Sequence, residues 1–165
     1  MKKFFVLAVV LCLTIFVNQS NAEVEKKYDR ITKQTTVQTK QTSIKTGKPQ
    51  LVLLASYTGD KFPADSKSFG IAFVSRSKDW EYRNCNDTHI LIDDEPYSPG
   101  EAKHNGTVGD GYVLEYLDYN VAFDSVQKMA VAKKIEVKIC NTEFALSPSE
   151  MADLREFVRL LTPEK

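Results

Sequence analysis

The stretch Ile135-Glu136-Val137-Lys138-Ile139-Cys140-Asn141-Thr142-Glu143-Phe144-Ala145-Leu146-Ser147-Pro148-Ser149-Glu150-Met151 decides the fold class. Ile135, Val137 and Ile139 fall on one side and Glu136 and Lys138 on the other, the period-two pattern of a strand with one wet face. Asn141-Thr142 turns the chain, and Glu143 to Leu146 returns as a short strand. Ser147 then supplies an N-cap hydroxyl, Pro148 has the fixed φ suited to a first helical position, and Glu150, three residues after the cap, completes a capping box. Met151, Leu154, Phe157, Val158 and Leu161 form the apolar stripe of that helix, and Thr162-Pro163 stops it. Strands joined by turns this short are antiparallel neighbours, so the class is α+β.

The same reading extends upstream. Asp124 and Gln127 have the spacing of a reciprocal N-terminal cap, with Val126, Met129, Ala130 and Lys133 on one helical stripe. From Tyr112 to Asn120 the chain alternates, placing Tyr112, Leu114 and Tyr116 on one face and Val113, Glu115, Leu117 and Tyr119 on the other. Ser98 to Gly111 contains Asn105-Gly106, whose two residues both tolerate positive φ, so a surface hairpin or loop is expected there. Asp93-Asp94 folds the chain back after a strand at His89 to Ile92, and Pro96 marks an edge or irregular position. Phe69 to Val74 and Trp80 to Cys85 read as further strands. Asp29 to Thr46, rich in Thr, Ile and Val, reads as one long strand that forms a hairpin with Gln50 to Tyr57. The expectation is a curved, mainly antiparallel sheet of seven to nine strands, with two C-terminal helices packed on one face.

The N-terminus has a different character. Met1-Lys2-Lys3 precedes an apolar run from Phe4 to Val17, then Asn18-Gln19-Ser20-Asn21-Ala22. Two lysines, an apolar stretch and small residues at Ser20 and Ala22 are the features of a cleavable export signal cut after Ala22. The run is shorter than the roughly 20 residues of a spanning helix, which disfavours an uncleaved anchor. The organisation expected is a signal over 1–22, a flexible leader over 23–28, one domain over 29–162 and a tail over 163–165. The destination is periplasmic or secreted, and the Met-Lys-Lys start is bacterial in style.

The whole chain carries 22 basic and 22 acidic groups, and without the signal the balance is slightly acidic. That argues against a nucleic-acid binder, which needs a basic face. Residues 79 to 124 hold two basic groups against eleven acidic ones, a net −9. Such a middle attracts cations or a basic partner, or is simply a set of solvated turns.

Cys85 and Cys140 are the two thiols beyond the signal. In an oxidising compartment they form a disulfide if their segments are neighbours; otherwise they are two small buried residues. His89 and His104 lie among Asp87, Asp93, Asp94, Glu95 and Asp110, but without the spacing of a recognised metal or acid–base motif. No Gly-x-Ser-x-Gly elbow is present, and no cofactor is assigned. Aromatic groups share the acidic middle, and aromatics with carboxylates suit a recognition surface. Trp80, Tyr97, Asp93, Asp94, His104 and Asn105 are the candidate binding residues. The sequons Asn86-Asp87-Thr88 and Asn105-Gly106-Thr107 carry no glycan in a bacterial chain.

Three segments carry a resemblance: Trp80-x-Tyr82-x-x-Cys85; Gly109-x-Gly111-Tyr112-Val113-x-Glu115; and Ala130 to Leu146 with its Lys133-Lys134-Ile135-Glu136-Val137 centre. Together they resemble small exported bacterial proteins of uncharacterised type, over most of residues 29 to 160. The resemblance implies a single exported domain and brings no activity or site residues. The function expected is a non-enzymatic extracytoplasmic module for a protein, a glycan or an envelope component. The alternatives are a small hydrolase or metal-binding protein using His89 or His104 with nearby carboxylates, and a secreted inhibitor presenting the Asn105-Gly106 loop.

Overall fold

The computed structural model describes residues 23–40, 44–63, 68–85 and 87–162. The expected signal with its Ala22 cut, Asn86 and the 163–165 tail lie outside those residues. Among the described residues, ten strands and two helices follow in the order β1 (Val24–Asp29), β2 (Gln34–Thr39), β3 (Gln50–Thr58), β4 (Ser68–Ser77), β5 (Thr88–Ile92), β6 (Glu95–Tyr97), β7 (Lys103–Gly109), β8 (Tyr112–Ala122), α1 (Phe123–Val131), β9 (Ile135–Ile139), β10 (Thr142–Ala145) and α2 (Pro148–Leu161). The class is α+β, as the sequence predicts, but the strands divide between two antiparallel sheets instead of one. Six run in the order β1-β2-β3-β4-β8-β7 and four in the order β10-β9-β5-β6.

One face of the larger sheet builds the core. Val37, Leu51, Leu53, Phe69, Ile71, Phe73, Leu117 and Tyr119 point to it and are buried. Helix α2 covers this face at β1, β2 and β3, and α1 packs against α2. The smaller sheet closes over the β4 and β8 side, where Phe73 meets Phe144 edge-on with centroids 5.9 Å apart and Tyr119 hydrogen-bonds Thr88. Ile90, Ile92, Ile135, Val137 and Ile139 join the same apolar cluster.

The local signals at the C-terminal end are realised closely. The β9–β10 hairpin turns at Cys140, whose φ is +54°, and Ser147 with Glu150 forms the full capping box. Glu150 also accepts from the Leu51 N–H at 3.1 Å, so the cap of α2 is tied to β3. Asp93 and Asp94 both adopt positive φ and form the tight β5–β6 turn.

Several expectations are corrected. The 23–28 leader is strand β1, paired with β2 from Val24↔Thr39 to Asp29↔Gln34. Its charges conceal it because it is an edge strand, packed against α2. The long strand from Asp29 is broken by a turn, where Asp29 accepts from the Ile31 N–H and Lys33 has positive φ. Trp80 to Cys85 is a loop. Asn105-Gly106 lies inside β7, and the actual hairpin turn is Asp110-Gly111, with Gly111 at φ +77°. Helix α1 starts from Ala122 with no side-chain cap and ends before Lys133, so the Asp124–Gln127 box does not form.

Candidate functional site

Glu115 stands on the inner face of β8 and is 1% exposed. Alternation places it there between Val113 and Leu117, so a carboxylate occupies a core position. Its oxygens accept from the Glu81 N–H at 2.7 Å and the Tyr82 N–H at 3.0 Å, and His104 Nε2 lies 2.9 Å away. These three partners replace the water lost on burial. Together they pin the 78–85 loop across the end of the sheet. Ser75 Oγ adds a bond to Glu81 at 3.1 Å, and the buried Tyr82 ring reaches Thr142 through its hydroxyl at 3.2 Å. Burial holds the Tyr82 phenol above its ordinary pKa. Cys85 at the end of this loop is bonded to Cys140 in the β9–β10 turn, with Cα atoms 6.1 Å apart.

Trp80 and His104 do meet, with ring centroids 5.8 Å apart. The indole lies on Gly106, where a Cβ would fall 2.4 Å from its ring carbon Cζ3. Glycine is therefore what allows Trp80 to seat. Arg83 lies 5.7 Å from the Trp80 ring centroid, and Trp80 remains 37% exposed. Within β7, Asn105 alternates to the opposite face and donates to Asp118 at 2.8 Å.

The remaining candidates lie elsewhere. Asp93 accepts from the Lys133 and Lys134 N–H groups at 2.8 and 2.9 Å, joining the β5–β6 turn to the chain after α1. Asp94 shares that turn, and Tyr97 lies on β6, half-buried against the core. His89 is on β5 of the smaller sheet, exposed and paired with Asp87 at 3.1 Å. The two histidines thus sit on different sheets. Among the described residues no cluster of three His, Cys, Asp or Glu side chains is arranged to hold a metal.

The feature missed from the sequence is the outer face of the larger sheet. Outward positions of a one-sided antiparallel sheet are normally polar. Here β3 presents Val52 and Leu54, β4 presents Gly70 and Ala72, and β8 presents Tyr112, Leu114 and Tyr116, while Val74 on the same face is covered and fully buried. Leu54 is 46% exposed. The small side chains of Gly70 and Ala72 leave a trough of about 610 Å³ between Leu54 and Tyr116, rimmed by Glu101, Lys103, Asp118 and Asn120. A second depression shares Val52 and Leu54 and continues toward Gln38, Lys40 and Glu25. Arg76 stacks over Tyr112 at 4.2 Å. Burial, and then the neighbouring Asp118 carboxylate, raise the Tyr116 phenol above its usual pKa, so it stays a neutral donor. The alternation of Tyr112, Leu114 and Tyr116 was the available signal, but it reads equally as a face covered by other elements.

No described helix is long and apolar enough to cross a membrane. No family model, curated protein or solved structure matches the chain.

Proposed function

We propose that the protein is an exported, non-enzymatic binding module that receives its ligand on the outer face of the six-stranded sheet. The observation that carries this reading is the trough over Gly70 and Ala72, an apolar depression where a solvated sheet would present polar groups. Glycine within a strand can mark the close approach of a ligand or another backbone, and Gly70 lies near the start of the ten-residue central strand β4. Export is supported by the leader's composition and by the Cys85–Cys140 bond, which suits an oxidising compartment.

The chemistry of the trough favours a neutral, linear saccharide. Its floor and the Tyr116 ring match the C–H faces of pyranose rings, while Asp118, Asn120, Glu101 and Lys103 offer acceptors and donors for hydroxyl groups. The rim carries both signs of charge, which gives no selection for a strongly charged polymer. An extended peptide fits less well, because the sheet's backbone groups are engaged within the sheet and leave its amides without partners. Glu101, Lys103, Tyr116, Asp118 and Asn120 of the trough come from the acidic, aromatic middle of the chain, while Val52, Leu54, Gly70 and Ala72 precede it.

Titration of the labelled protein with tetramers of β-1,4-linked N-acetylglucosamine, glucose and mannose, followed by NMR, tests the reading. Shifts should concentrate at Val52, Leu54, Gly70 and Tyr116, and Ala72→Phe, which fills the trough from outside the core, should weaken binding at least tenfold without lowering Tm. Sugar-free shifts of the same residues with concentration, matched by dimers in ultracentrifugation, would assign the face to a second copy. Shifts confined to Trp80 and Arg83 would move the site away from this face altogether.

A further inference from the structure

The expected leader cut falls between Ala22 and Glu23, and the Glu23 backbone nitrogen donates to Asp153 Oδ1 at 2.7 Å. That nitrogen is positioned by the fold itself. Val24 opens β1 opposite Thr39, and the Lys40 N–H donates to the Glu23 carbonyl at 2.6 Å. Asp153 projects from α2, which packs on β1 and β2. It is half-buried, and this burial is the largest influence raising its carboxyl above the ordinary aspartate range; the Glu23 N–H opposes the shift, while the carboxylates of Glu23 and Glu150 add to it. A partly desolvated carboxylate beside two others, with one neutral donor, is a site that favours a cation. Lys48, just before β3, pairs with Glu150 at 3.5 Å, and Arg159 on α2 pairs with Glu156 at 2.7 Å.

We infer that removal of the leader is registered by this contact. Hydrolysis adds water across the Ala22–Glu23 amide bond; Ala22 keeps the new carboxylate, and the freed Glu23 amine takes up a proton at neutral pH. The neutral N–H facing Asp153 becomes an α-ammonium at the same place, and a single hydrogen bond becomes an ion pair joining β1 to α2. The cut chain is therefore more stable than the uncut one, so the fold tightens only after the leader is gone. This takes the Ala22 cut from the sequence and is independent of the ligand on the outer sheet face.

The charges acting on Asp153 are the carboxylates of Glu23 and Glu150; the basic groups carried by the surrounding segments are Lys26 on β1, Lys40 after β2, Lys48 before β3, and Arg155 and Arg159 on α2. An unperturbed α-amino group titrates at about 7.7–8.0. Pairing raises that value in the folded state, so the stabilisation is complete below about pH 7.7 and is lost as pH rises through the higher folded value. At the acid end, protonation of Asp153 removes it.

The test compares the protein beginning at Glu23 with the same protein N-acetylated, each with Asp153 intact and as Asp153→Asn. Acetylation restores a neutral amide N–H at the same atom and changes only the charge. It should lower Tm by a few degrees at pH 6.5 when Asp153 is present, leave Tm unchanged in Asp153→Asn, and lose its effect by about pH 10. An equal effect in both backgrounds, no effect in either, or an exported protein that starts at a residue other than Glu23 would each overturn the inference.

Discussion

Glu115 is an acid at a core position, and three donors make that tolerable. Removing the carboxylate leaves two backbone N–H groups and an imidazole without their acceptor. Glu115→Ala should therefore cost about 3–5 kcal/mol in urea denaturation, the range for breaking a buried charged network. Glu115→Gln, which keeps one acceptor oxygen, should cost less than half of that. The role was not legible in the sequence, because an acid among Val113, Leu117 and Tyr119 looks like an interruption of the apolar face. Two of its three partners come from a loop more than thirty residues earlier. Trp80 and His104, both candidate binding residues, adjoin at this loop.

Elements whose signals are local were read well. The β9–β10 hairpin and the capping box of α2 depend on residues within a few positions of one another. Ser147→Ala should lower stability by about 1 kcal/mol in thermal unfolding. Glu150→Ala should cost more, since Glu150 also holds the Leu51 N–H and so couples the helix end to β3. The misread elements are those where distant pairing overrides a local preference. Asn105-Gly106 favours a turn, yet continuous pairing of β7 with β8 draws it into a strand. Trp80 and Tyr82 alternate as strand residues do, yet they lie in a loop pinned by Glu115, which buries Tyr82 and leaves Trp80 exposed. The charged Glu25-Lys26-Lys27 stretch suits an open edge, where only one side needs an apolar contact.

At the scale of the molecule, the class was legible and the division into two sheets was not. That division depends on how β5, β6, β9 and β10 gather over β4 and β8, contacts that no local pattern encodes. The outer trough was hidden for the same reason, because apolar alternation on β8 does not say which face remains uncovered. The Cys85–Cys140 bond ties the smaller sheet's turn to the loop beneath Trp80 over a separation of 55 residues. In the chain-entropy view its reduction should lower stability by about 4 kcal/mol, measured by urea denaturation with and without reductant.

That bridge has a further consequence for a protein exposed to proteases. It encloses β5 to β9 within one covalent ring, so a single nick anywhere between Asp87 and Ile139 severs no fragment. The wounded molecule would keep all its strands on one thread, and damage that dismantles an open chain would here be only a break in a loop.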